Sequence, residues 1–247
     1  MPLTSLSMIG AAIFLSSFIS GVFGIAGGMM LLGVLLVFFD VATGMVMFSL
    51  LTTTGNVWRV VSWRRFVRWP ILFYYVIGGS LAFLLLRFVA FVPSKALIYL
   101  ILGVMPYAIE ALPRRWCPNI EWRGVPSLTG LVTTSIQLMA GNGGMFLDIF
   151  FQKSGLDRKT TVATKAICQS FGNVTRLLYF GSLGGVSESF PLWAFVPAVL
   201  LAIGGTALAP LLLERMTDHD FRRWTRKLIF LVSTVYLIRA AWLFWHQ

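Results

Sequence analysis

Residues 139–151 read MAGNGGMFLDIFF, an apolar run cut by Gly141-Asn142-Gly143-Gly144. Three glycines around an asparagine cannot carry a helix through their position. Glycine gives up the most backbone freedom on ordering, and asparagine competes for the backbone hydrogen bonds. The apolar block around them runs from 125 to 152, so it reads as helix, break, helix. A second stretch, FGIAGGMMLLGVLL at 23–36, repeats the pattern inside a block from 5 to 39, with Gly21, Gly24, Gly27 and Gly28 as interruptions. That block is too long for one crossing, since about 20 helical residues span a hydrocarbon core.

Six further apolar blocks, 41–61, 70–92, 95–112, 159–180, 190–213 and 228–245, complete the chain. Apolar residues make up 57% of the 247 and charged residues 12%, and the mean hydropathy is +0.82. This is about half the charged share of a soluble domain, which excludes a soluble enzyme or regulator. The stretch 6–20 could pass for a signal-peptide core, but no base precedes it and the apolar run continues to Phe39, so it is expected to stay in the membrane. Cys117, Cys168, His219 and His246 are too few and too scattered for a metal centre. Nothing matches HExxH, GxSxG or a phosphate-binding loop, so no catalytic residue, metal or cofactor is expected. The 20 bases against 9 acids give a net charge of +11, yet the bases sit in short runs between apolar blocks. That is the pattern of cytoplasmic loops rather than of a nucleic-acid surface.

The chain is internally duplicated. Gly27-Gly28-Met29 recurs as Gly143-Gly144-Met145, Asp40 as Asp157, Gly55-Asn56-Val57-x-Arg59 as Gly172-Asn173-Val174-x-Arg176, and Ile77-Gly78-Gly79 as Ile203-Gly204-Gly205. The halves are 1–112 and 125–247, joined by the polar linker 113–124. Arg59, Arg64, Arg65 and Arg68 follow the second block with no acid, whereas the equivalent loop, 181–189, has Glu188 and no base. The two loops therefore face opposite sides. With each broken block entering and leaving on one side, a half has three crossings and a hairpin. The copies are then inverted, both termini outside and the linker inside. The expected fold is an all-α integral membrane protein of two inverted repeats, with 8–10 helical segments. Inverted repeats with paired broken helices are a transporter architecture.

Helices that start in mid-membrane present unpaired N–H groups and a partial positive charge near +0.5. Starts at Gly27-Gly28 and at Asn142-Gly143-Gly144 would face each other and hold a small anion without a fixed cation in lipid. Ser49, Thr52, Asn56 and Arg59 share one helical face, and Gln169, Asn173 and Arg176 are their counterparts, with Thr164 and Lys165 a turn earlier. Thr52, Asn56, Gln169 and Asn173 join the glycines as candidate binding residues, and Ser49, Arg59, Lys165 and Arg176 as pathway or gating residues. By inversion, Arg59 is expected at the cytoplasmic mouth and Arg176 at the outer one. Asp148, an acid amid MFL and IFF, needs a partner in the membrane; Lys165 is the natural one, in a packed ion pair or a proton-coupling site. Two alternatives remain beside the anion carrier. A non-transporting scaffold would share the duplication without explaining the breaks, and a cation carrier would want acids at them.

The two hairpins and the Ala/Thr-rich helices after them, DVATGMVMFSLLTTT at 40–54 and LDRKTTVATKAICQS at 156–170, resemble the TauE/SafE family of sulfite and organosulfonate exporters. The family's G-x-G-G-G hairpin is followed by Pro. Here Ala26 and Asn142 stand at the motif's third position, Ala140 at the first of the second copy, and no Pro follows either hairpin. The resemblance covers nearly the whole chain. It implies an anion exporter for sulfite, thiosulfate, sulfoacetate or a related acid, multi-pass in a bacterial plasma or inner membrane. The partners expected are the small anionic substrate, the lipid bilayer and a second copy in a homodimer, with no nucleic acid.

Overall fold

The apolar blocks fold as α-helices whose ends fall where the sequence offers a cap, a proline or a glycine. The computed structural model describes residues 3–23, 25–113, 116–183, 195–213 and 216–246. In chain order the helices are α1 (Leu3–Phe23), α2 (Ile25–Phe38), α3 (Val41–Trp63), α4 (Trp69–Val89), α5 (Lys95–Ala111), α6 (Val125–Ala140), α7 (Gly144–Phe151), α8 (Arg158–Leu183), α9 (Phe195–Leu213) and α10 (Asp218–Trp245). Among the described residues there is no strand. Among the described residues, five α-helices precede the linker and five follow it.

The matched acids are both caps. Asp40 accepts the Thr43 N–H at 3.0 Å at the start of α3, and Asp157 accepts the Lys159 and Thr160 N–H groups at 3.1 and 3.3 Å at the start of α8. Each satisfies donors that no helical carbonyl can reach. Ser94 and Thr217 do the same for α5 and α10.

Helix pairing follows a simple exchange. The most extensive contacts are α4 with α6, α1 with α9, α3 with α8 and α5 with α10. Counted within each half, the first helix packs on the fourth of the other half, third on third, and fifth on fifth. The repeated glycines make two of these crossings close. A Cβ on Gly78 would lie 1.8 Å from the Ser127 carbonyl oxygen where α4 meets α6, and one on Gly205 would lie 2.4 Å from the Phe14 oxygen where α9 meets α1. Only glycine permits such backbone approach.

The distribution of polarity is that of a chain solvated by lipid. Phe73, Ile77, Leu81, Leu84 and Phe88 form an outward stripe on α4, with Phe88 92% exposed, and Leu231, Val235, Ile238, Trp242 and Trp245 form another on α10. Thr129, Thr133, Thr134, Gln137, Thr164, Asn173 and Arg176 are buried instead. Apolar stripes of this size are not left facing water by a soluble monomer. Trp69–Val89 and Arg223–Trp245 are long and apolar enough to cross a membrane by length and composition, and Gly10–Ser20, Ala26–Phe38, Val41–Thr53 and Val196–Ala209 are shorter apolar helices.

The two breaks are not placed alike. The second falls at 141–143, as the sequence predicts. In the first half α2 already runs from Ile25, so Gly27 and Gly28 lie within its opening turn rather than ahead of it. Gly27 is claimed by packing: a Cβ there would sit 2.0 Å from the Ser20 nitrogen on α1.

Candidate functional site

Leaving α6, Gly141 takes a left-handed φ of +79°, and its N–H donates to the Gln137 carbonyl at 2.9 Å. Asn142 then turns its Oδ1 to the Gly144 N–H at 3.2 Å, which caps α7 and leaves the amide nitrogen as a donor. Gly143 lies under Thr133, whose carbonyl oxygen would be 2.4 Å from any Cβ. Opposite, a Cβ on Gly28 would lie 3.8 Å from both Asn142 Nδ2 and the Phe48 ring, so the two glycine segments do face one another.

Between them lies a cavity of about 570 Å³. Its walls bring together Gly28, Thr52, Asn56, Asn142, Gly143, Gly144, Asp148, Lys165, Gln169, Asn173 and Arg176. Ser49 and Gly27 are not lining residues; Ser49 supports Arg176 from α3, and Gly27 packs on α1. The side chain of Arg59 lies outside the described residues, as does the Glu188 loop. Lys165, Gln169, Asn173 and Arg176 fall at i, i+4, i+8 and i+11 of α8, one face along its length.

Arg176 does not sit at a mouth. It is 1% exposed and forms the floor of the cavity. Its Nε donates to Ser49 Oγ at 2.7 Å, Nη2 to Thr52 Oγ1 at 3.5 Å and to Asn173 Oδ1 at 3.2 Å, and Nη1 to the Gly141 carbonyl. The guanidinium lies 4.5 Å from the centroid of the Phe48 ring. Ser49 and Thr52 spend their own protons on the Met45 and Phe48 carbonyls, which turns their oxygens into acceptors for the arginine. None of these partners is a carboxylate. A buried cation without a counter-charge is costly, and an anion in the cavity relieves that cost.

Beyond Arg176 the same helices carry buried apolar and aromatic residues: Met45, Val46 and Met47 on α3, Tyr179 and Phe180 on α8. In the other direction the lining continues through Val162 of α8 and Phe221 and Thr225 of α10, in the first two turns of those helices. The lining thus ends on buried apolar residues beyond Arg176 and reaches helix starts in the other direction. Near those starts Lys165 Nζ pairs with Asp148 Oδ1, the pair anticipated from sequence.

Sequence reasoning missed Gln137, whose Nε2 donates to Asn173 Oδ1 at 3.1 Å. Gly172 makes room for it, since a Cβ there would meet Gln137 Oε1 at 2.2 Å. An amide four residues before a break, inside an apolar block, was the available signal. The Asn173 Nδ2 group, on a residue 4% exposed, has no partner and remains as a donor at the cavity wall.

The model of the sulfite exporter TauE/SafE family matches residues 9–237. The chain belongs to this family. No curated protein and no solved structure matches it. TauE/SafE proteins are membrane transporters of sulfur compounds and not enzymes, so this protein is a multi-pass membrane transporter rather than a catalyst. A cavity walled by amides, glycine backbone and a buried arginine is in keeping with that class.

Proposed function

We propose that this TauE/SafE protein exports a small sulfur-containing anion, a sulfur oxyanion or organosulfonate such as sulfite or sulfoacetate, by alternating access at the cavity between α2 and α7. Arg176 carries this reading. It is a fully buried cation with no acid beside it, at the floor of a cavity lined by further donors from Asn142, Gln169 and Asn173. Such a set stabilises the spread charge of an oxyanion, because a guanidinium and fixed amides match its geometry. A cation carrier would meet Arg176 at the end of its path.

The halves 1–112 and 125–247 act as inverted repeats. The exchange of helix partners supports a pseudo-two-fold axis, and the opposed charge of the two equivalent loops supports inversion. With the basic loops inside, the open end of the cavity faces the cytoplasm and the aromatic end faces out. This is the loading state of an exporter.

Thermal unfolding of the purified protein with a panel of sulfite, thiosulfate, sulfoacetate and methanesulfonate tests the reading. At least one anion raises the midpoint in a saturable way, and Arg176→Gln weakens that effect about tenfold or more, as the loss of a charge-assisted hydrogen bond requires. If no member of the panel stabilises the wild type, a non-transporting scaffold becomes the better account.

A further inference from the structure

Among the described residues, the cavity walls hold three charged side chains: Arg176, Lys165 and Asp148. Lys165 and Asp148 cancel each other in their ion pair, so among the described side chains one positive charge, that of Arg176, is uncompensated. A singly charged anion brings the total to zero. A doubly charged anion leaves a net negative charge in a space that must close off from water during transport, and a net charge sealed in low dielectric is expensive. The pair itself offers the remedy. Both its side chains are partly exposed at the cavity wall, so a proton can reach the carboxylate from the open end. Protonated, Asp148 no longer neutralises Lys165, the walls carry two positive charges, and a dianion balances them.

We propose that the Asp148–Lys165 pair sets the charge carried per cycle: a singly charged sulfonate crosses unaided, and a doubly charged sulfur anion crosses together with one proton bound by Asp148. Either way one net negative charge is moved. The inference rests on the cavity being the anion path. The groups around Asp148 leave it the proton acceptor. Helix α6 presents no titratable side chain, and on α8 the facing groups are Lys165 and, deeper, Arg176. On α5, Lys95 donates to the Leu36 carbonyl, Tyr99 to Gly33, Tyr107 pairs with Thr234 and Glu110 with Arg226. The described lining of α10 is Phe221, Thr225 and Ile229.

Proteoliposomes loaded with a pH-sensitive dye separate the cases, with methanesulfonate as the monoanion and thiosulfate as the dianion. Thiosulfate flux brings about one proton per anion and slows by up to about tenfold per pH unit on the alkaline side, as one-proton linkage requires. Methanesulfonate flux moves no proton. Asp148→Asn, which leaves the walls with two positive charges, carries thiosulfate with no proton. Thiosulfate flux without proton movement in the wild type overturns the proposal while leaving the carrier intact, and this count needs no variant. If neither anion moves, the anion-path reading itself fails.

Discussion

Arg176 ties three segments to one guanidinium: α3 through Ser49 and Thr52, the α6–α7 break through Gly141, and α8 through Asn173. Its face on the helix was legible from the spacing of Gln169, Asn173 and Arg176, but its depth was not. Periodicity reports direction around an axis, whereas depth depends on which hydroxyls arrive from the other half of the chain. Asp148 with Lys165 was legible because an acid within apolar sequence has few partners to choose from. The glycines divide by what stands over them. A Cβ on Gly144 would press to 2.8 Å of Gln169 Nε2, whereas one on Gly28 meets neighbours only at 3.8 Å. Gly144→Val is therefore expected to lower anion affinity about tenfold or more by displacing Gln169. Gly28→Ala stays near wild type, and Gly28→Val falls between. Titrations followed by thermal shift check the order, and a Gly144→Val protein that binds anions normally would make that residue a packing element only.

At the scale of elements, one break was readable and the other only roughly. Gly141, Asn142, Gly143 and Gly144 are contiguous, so the interruption has one place to go. Gly21, Gly24, Gly27 and Gly28 are spread over two turns, and the contact of Gly27 with Ser20 decides that the helix resumes before it. The capping acids were legible as a repeated pair, and both sit at helix starts. Asp40→Ala is expected to destabilise the protein by about 1 kcal/mol, as for other N-cap losses. Asp157 is held below the usual carboxylate range by the Thr160 hydroxyl and N–H and the Lys159 N–H. A lowered carboxyl contributes stability above its ordinary range and loses it as the pH falls through the lowered value. The difference between wild type and Asp157→Ala, present at pH 7, should therefore shrink below about pH 4, the ordinary carboxylate value. Unfolding curves in detergent at both pH values measure it.

For the whole molecule, hydropathy blocks anticipated an all-helical membrane chain of 8–10 helical segments, because lipid forces every backbone group into helix. The partner exchange between the halves was not readable, since it is settled by close crossings such as Gly78 on Ser127 and Gly205 on Phe14. The proposed inverted topology makes a direct forecast. With Cys117 and Cys168 replaced by Ala, Ser182→Cys reacts with an impermeant thiol reagent in intact cells, and Arg65→Cys reacts only after lysis. Labelling of both from one side would remove the inversion.

The central claim is that an anion passes through the cavity above Arg176. Exchange of radiolabelled sulfite across proteoliposome membranes tests it most directly. The account predicts saturable exchange in the wild type that collapses in Arg176→Gln while the variant remains folded and inserted. Exchange no faster than in protein-free vesicles, or wild-type rates in the variant, would contradict it.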